Sequence, residues 1–230
     1  MPGVAQPGWM DQPWTEAWLS FNLCPARWVH ASRRTQFLPA SMRVWGEAGS
    51  GGGRIDRIVH RHWSAAFLQD AAWDPVERLD DPVLPIALLP DPEFERLALW
   101  CGLVVIASAV RQVISREEVA TLTQSLGEDG LDFARHRAGV LAGRDALHRL
   151  DVSDVRAAAS RLGGAMLALA LAEGAPPLAH RATWRLPTVA GQAVEELPEG
   201  LAAGPAALGV ARAVLHEMDP QWLSSFPTAH

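Results

Sequence analysis

From Leu97 to Val110 the chain runs fourteen residues without a charge, bounded by Arg96 and Arg111. As a helix, at about 1.5 Å per residue, that run covers roughly 21 Å, short of the roughly 30 Å of a bilayer core. A helix apolar on every side is surrounded by protein instead. Val104, Val105 and Ile106 are β-branched and would suit strands, but Asp91-Pro92-Glu93 sets Pro and acids at the opening. Those start signals and the charged flanks favour one buried central helix from about 92 to 114, with the other elements packed against it.

The pattern elsewhere is also helical. Trp14 and Trp18 are four apart, so a short helix places them on one face. Pro25 fits the first turn of a helix carrying Trp28, Val29 and Ser32. Ile55, Ile58, Val59, Trp63, Ala66 and Phe67 give an amphipathic helix over about 54–72. Pro75, Pro82, Pro85, Pro90 and Pro92 then forbid regular helix until the central one begins. Ser115-Arg-Glu-Glu118 is a capping box that opens a helix with Val119, Leu122 and Leu126 inward, ended by Gly127.

Phe133, Val140 and Leu147 recur every seven residues and predict a helix over about 130–149, weakened by Gly139 and Gly143 unless these allow close helix contact. Val155, Leu162, Met166 and Leu169 form a stripe over 153–173, stopped by Gly174-Ala-Pro-Pro177. Residues 174–204 read as loop broken by a short helix near 177–184. Gly204-Pro205 opens a last helix with Leu208, Ala211, Leu215 and Met218 inward, and Asp219–Leu223 adds a closing turn. No strand alternation persists. The expected class is all-α, an irregular multi-helix bundle around the central helix, with long Pro- and Gly-rich loops.

At 230 residues the chain suits one domain. Five glycines in the eight residues of Gly46–Gly53 read as a flexible loop. That loop separates a Trp-rich segment, 1–45, a candidate subdomain, from a helical body, 54–230. Apolar residues make up 49 % and charged residues 20 %, enough to bury a core. The net charge of −6 argues against general binding to nucleic acid or anionic lipid. All 20 basic residues are Arg, which suits planar, bidentate pairing with carboxylates at interfaces. Cys24 and Cys101 read as a reduced, cytosolic pair, and no charged n-region precedes an apolar stretch, so no secretory signal is expected. Without a run of 18 apolar residues, no membrane span is expected either.

Chemistry is sparse. His60-Arg61-His62 puts two imidazoles at i and i+2, which diverge on a helix, and no acid or Cys stands at ligand spacing beside them. Cys24 with His30 would seed a thiolate–imidazole pair, against the plainer reading of Cys24 as a packed side chain. Ser50 sits in a relaxed nucleophile-elbow pattern that lacks the strand before it. The glycine loop also lacks the Lys-Ser/Thr of a phosphate loop. Glu117/Glu118, Asp80/Asp81 and Glu195/Glu196 are adjacent acids and read as solvated faces. No catalytic, cofactor-binding or metal-binding residue is therefore expected.

The tryptophans are the unusual feature: seven of ten lie in the first 73 residues. A core packed with indoles is one reading. A recognition face is the other, because Trp and Arg are enriched at binding hot spots. Nucleic-acid stacking by interleaved Trp and Arg is disfavoured by the acidic balance. The partner-facing residues expected on the second reading are Trp14, Trp18, Arg27, Trp28, His30, Arg33, Arg34, Trp184 and Trp222.

Phe21-Asn-Leu-Cys-Pro-Ala-Arg-Trp-Val-His30, followed by Ser32 and Arg33, resembles the opening of the type III secretion sorting-platform accessory proteins, the SctK group of YscK and OrgA. Trp184-Arg-Leu-Pro187 resembles a late motif of that group more loosely. The resemblance implies a non-enzymatic cytoplasmic adaptor that joins the inner-membrane ring protein SctD to the SctQ pods, near the SctL stator and the SctN ATPase. It would be held peripherally at the inner membrane by those partners, without inserting. It further implies that Arg27, Arg33 and Arg34 meet an acidic partner surface. From the residues alone, a helical small-molecule binder or a cryptic Cys/His hydrolase remains the competing reading.

Overall fold

In the computed structural model, residues 10–34, 61–62, 64–65, 74–142 and 152–227 are described. The glycine loop, Ser50, His60 and four tryptophans (Trp9, Trp45, Trp63, Trp73) lie outside these residues. So does most of the helix expected over 54–72, although Arg61, His62, Ser64 and Ala65 within it are helical. Every regular element among the described residues is helical, so the all-α expectation is met.

The charge-free run forms helix α4, Asp91–Gln112, as expected. It follows α1 (Thr15–Leu23), α2 (Ala31–Arg34) and α3 (Leu84–Ala87). Asp91 and Glu93 lie in the first turn of α4 and Arg111 in the last, each complementing the helix dipole. Leu97, Cys101, Leu103, Val104, Val105 and Val110 are completely buried, so α4 presents apolar side chains to the core on nearly every side.

Around it lie α5 (Arg116–His136), α6 (Ala138–Ala142), α7 (Val155–Ala172), α8 (Pro176–Thr183), α9 (Gly204–Met218) and α10 (Pro220–Ser224). The most extensive contact of α4 is with α7. It depends on two glycines. A Cβ built on Gly102 would overlap the Ala159 carbonyl and lie 2.5 Å from its carbon, and one on Gly163 would lie 2.7 Å from the Ala98 carbonyl carbon and from the Gly102 nitrogen. The helices therefore meet backbone to backbone.

Several expectations need correction. The segment with five prolines is not free of helix: α3 forms with Pro85 in its first turn, where a missing N–H costs no internal bond. Pro25 opens only a 3-10 turn, Pro25–Arg27, and α2 begins afresh at Ala31, so Trp28 is not carried on a helix with Ser32. At Gly127 the expectation holds: the residue leaves helical geometry with φ 77° and ψ 165°, ending the first helical stretch of α5, and helix resumes beyond it, though only as far as His136 and not 149. The seven-residue stripe then fails. Arg137 leaves helical register, and Val140 is 83 % exposed while Phe133 is buried. Segment 152–172 is long and apolar enough to cross a membrane by length and composition, which was not expected. Here 56 % of that window is buried, and α7 lies between α4, α9 and the 3-10 segment Ala190–Glu196.

Other local signals hold. The Ser115 hydroxyl accepts the Glu118 N–H at 3.2 Å, completing the cap that opens α5. The Asp219 carboxylate does the same for the Trp222 N–H at 2.8 Å at the head of α10. On α7, Val155, Leu162 and Met166 are buried as expected, with Leu169 half-buried.

Candidate protein-docking site

Two stretches about 150 positions apart, around 21–33 and 181–187, fold onto one another. Asn22 is the first tie. Its Oδ1 accepts the Val76 N–H at 2.8 Å and Arg181 Nη1 at 2.7 Å, while its Nδ2 donates to the Val76 carbonyl at 3.3 Å. One amide side chain thus fastens α1 to the start of the proline-rich segment and to α8. Arg181 also donates to the Asp74 carbonyl at 2.5 Å. Burial pushes this guanidinium down to about 10, against the opposing field of Asp74.

Further along, the His30 N–H donates to the Trp184 carbonyl at 2.9 Å. Arg33 Nε donates to the Leu186 carbonyl at 2.7 Å, and the Thr188 N–H donates to Ser32 Oγ at 3.2 Å. The first bond joins backbone to backbone and the other two join backbone to side chain, so they fix the path of an irregular strip without a sheet. Burial lowers the Arg33 pKa modestly below its usual range.

At the centre stands Arg185, 4 % exposed. Nη1 donates to the Ala87 carbonyl at 2.7 Å and Nη2 to Asp91 Oδ1 at 3.0 Å, joining the site to the head of α4. The guanidinium carbon lies 4.0 Å from the Phe94 ring centre and 4.7 Å from that of Trp28. Two aromatic faces and one carboxylate thus replace the water this cation gives up. Burial still dominates and takes its pKa down to about 10, with Asp91 opposing.

The expected partner-facing residues divide in this setting. Trp14 is 1 % exposed, stacks on Phe226 at 5.2 Å and donates its indole N–H to the Ser225 carbonyl at 3.0 Å. Trp18, Trp28 and Trp222 are half-buried, and their indole N–H groups donate to the Val76 carbonyl, Ser20 Oγ and the Pro85 carbonyl. These four indoles clamp distant segments together. Arg27 is exposed, and His30, Arg33 and Trp184, which form the bonded strip, are half-buried. Arg34 ends α2, with its side chain outside the described residues.

Cys24 is half-buried, while His30 Nδ1 lies 2.8 Å from Ser32 Oγ and accepts the Ser32 N–H at 3.1 Å. Ser32, not the thiol, therefore engages that nitrogen. Among the described residues no three His, Cys, Asp or Glu side chains are grouped so as to hold a metal. Asn22, Asp91, Arg181 and Arg185 were not among the expected site residues. Asn22 and Arg185 lie inside the two motif stretches, which was the available signal; Asp91 and Arg181 had none.

The family model of the YOP proteins translocation protein K (YscK) matches residues 17–221. The chain belongs to the YscK family. That membership agrees with the SctK resemblance read at Phe21–His30 and Trp184–Pro187, and both stretches fall inside the matched span. Among solved structures, the chain is similar to the cytoplasmic domain of the T3SS sorting platform protein PscK from P. aeruginosa. The TM-score is 0.55 at 20 % identity, over 89 % of this chain and 95 % of that one, a likeness of fold. No curated protein sequence gives a significant match. Within this YscK-family fold, the Asn22 and Arg185 ties hold the N-terminal segment on the helical body.

Proposed function

We propose that this chain is a sorting-platform component of a type III secretion system and acts there as a non-enzymatic adaptor. It joins the cytoplasmic domain of the inner-membrane ring protein SctD to the SctQ pods, beside SctL and SctN. It is cytoplasmic and is held at the inner membrane by those partners. The observation that carries this reading is the family match over 17–221. The description of PscK as a sorting platform protein supports it, as do the exposed side chains of Leu19, Leu23 and Arg27, which recur every four residues along the chain just before the bonded strip.

A cation flanked by apolar side chains is the composition of an interface anchor. The face proposed for a partner is therefore Leu19, Leu23, Arg27, His30 and Arg33, backed by the indoles that hold it in shape. The test is capture of purified SctQ and of the SctD cytoplasmic domain by the full chain. The pair Leu23→Asp and Arg27→Glu should weaken capture of one partner by about tenfold while helical circular dichroism is unchanged. Undiminished capture of both would remove the proposed face. Capture of neither by the unaltered chain would remove the adaptor reading.

A further inference from the structure

An adaptor that joins two proteins needs two faces, and the one carried by Leu19, Leu23 and Arg27 serves a single partner. Among the described residues the two most exposed large apolar side chains lie elsewhere: Ile114, 90 % exposed, and Val140, 83 % exposed. Apolar side chains scattered singly over a surface are ordinary and carry no argument. These two are brought to one corner, where α4 packs directly on α6. Arg135 Nη2 donates at 3.0 Å to the carbonyl of Val113, next in the chain to Ile114. The Arg111 guanidinium lies over Gly139, next in the chain to Val140; a Cβ at Gly139 would stand 2.6 Å from the guanidinium carbon.

The fold itself does not call for an aliphatic at either position. Val113 is extended at φ −75° and ψ 113°, and Ser115 caps α5 at φ −68° and ψ 139°, so the connection between α4 and α5 is extended. It leaves Val113 half-buried and Ile114 in solvent, where a polar residue would serve as well. Val140 stands in the five-residue helix α6, to which a β-branched side chain contributes poorly.

Most charges of the corner are matched within it. Arg137 meets Asp132 at 3.2 Å and Glu217 at 3.1 Å, and His136 also meets Asp132, at 3.0 Å. Glu117 and Glu118 lie in the first turn of α5, where they complement its dipole, with exposed Arg116 before them. Arg111 is different. It is exposed and makes no ion pair or hydrogen bond among the described residues, yet Gly139 leaves open the space in which its guanidinium lies. A cation held in place beside two aliphatic side chains, without a carboxylate of its own, has the make-up of an interface anchor.

We infer that Arg111, Ile114 and Val140 form a second docking face, and that it takes a protein surface presenting aliphatic side chains around a carboxylate. The apolar pair supplies area to be buried, and the planar fork of Arg111 suits a carboxylate accepting two N–H groups. This face is built from α4, the connection after it and α6, whereas Leu19, Leu23 and Arg27 belong to α1 and the turn that follows. The two faces therefore share no element. The inference deepens the adaptor reading and rests on it for the existence of two partners.

The experiment uses the full chain with purified SctQ and purified SctD cytoplasmic domain, each captured separately. The pair Ile114→Asp and Val140→Asp should weaken capture of one partner by about tenfold and leave the other within about twofold. Helical circular dichroism should be unchanged, because both side chains are exposed. Leu23→Asp with Arg27→Glu should weaken the other partner instead; it alters net charge more, so a general charge effect would fall more heavily there. Arg111→Gln should weaken the same partner as the Ile114 and Val140 pair by about threefold, and Arg111→Lys by less. Undiminished capture of both partners by the Ile114 and Val140 pair, or loss of the same partner in both pairs, would overturn the second face. Capture indifferent to Arg111→Gln would overturn the carboxylate partner. Capture of neither partner by the unaltered chain would instead remove the adaptor reading and this face with it, so the two failures are distinguishable.

Discussion

The backbone-to-backbone seam of Gly102 against Ala159 and Gly163 against Ala98 makes a sharp prediction for Gly102→Ala. In an exposed helix interior this change is stabilising by about 1 kcal/mol, because Ala is the better helix former. At Gly102 the added methyl would overlap the Ala159 carbonyl oxygen and stand 2.5 and 2.8 Å from Ala159 C and Cα. Those are backbone atoms in the middle of α7, so no rotamer change relieves the overlap. The two helices must part by roughly an ångström, and a gap of that size forfeits about a quarter to a half of each dispersion contact across the seam. Overpacking of this kind costs about 1–3 kcal/mol or more. Set against the propensity gain, the net is a destabilisation of about 2 kcal/mol, or about 4–8 °C in Tm for a chain of this size. Gly209→Ala is the internal control, because Gly209 lies within α9 with nothing within 4 Å of its Cβ position. It should be stabilised by about 0.5–1 kcal/mol. Both are measured by denaturant unfolding followed by far-UV circular dichroism. If Gly102→Ala unfolds no earlier than the unaltered chain, the argument that backbone contact sets the α4–α7 distance is wrong.

Other consequences can be checked in the same way. Arg185→Met leaves the Ala87 carbonyl without its Nη1 donor and removes the cation between Trp28 and Phe94; it should cost about 3 kcal/mol and shift tryptophan emission, whereas exposed Arg27→Met should cost less than about 0.5 kcal/mol. Glu196 is held below the usual carboxylate range by its bond to Arg161, so its small contribution is present above pH 4.5 and lost as pH falls through its lowered pKa; Arg161→Ala should return the Glu196 pKa toward 4.5 in a carboxyl NMR titration with little change in Tm. Burial raises the Cys101 pKa well above the ordinary thiol value near 9, so its contribution is full below pH 9 and declines as pH rises above it. Half-buried Cys24 should react with a thiol reagent in the native protein, and Cys101 only after denaturant is added.

How much was legible beforehand varied with the range of the interaction. The α4 boundaries and the Ser115 cap are written in neighbouring residues, and they were read within two positions. The Gly102–Gly163 contact was not, because nothing local at either glycine tells which helix will lie across it. Val140 failed for a related reason: the seven-residue stripe assumed unbroken helix, whereas Arg137 leaves that register to meet Asp132 and Glu217 at 3.2 and 3.1 Å. The docking strip was legible only as two motif stretches. That Asn22 reaches Arg181, and that Arg185 lies between Trp28 and Phe94, are tertiary facts that composition does not contain.

The tryptophans show what composition leaves open about function. An indole can anchor a partner or clamp a fold, and the two readings differ only in where its N–H goes. Here Trp14, Trp18 and Trp222 donate to carbonyls 211, 58 and 137 positions away, so each closes a long loop that would otherwise cost considerable chain entropy. Trp28 bonds locally to Ser20 but carries Arg185 on its face, which ties it to α4 just the same. A segment fastened at so many points keeps Leu23 and Arg27 in place before any partner arrives. The ordering cost of association is thereby reduced. On this view the indoles act one layer beneath the contact surface: replacing Trp28 should weaken partner capture only as far as it loosens the Arg185 tie, whereas replacing Arg27 should weaken capture with the fold intact.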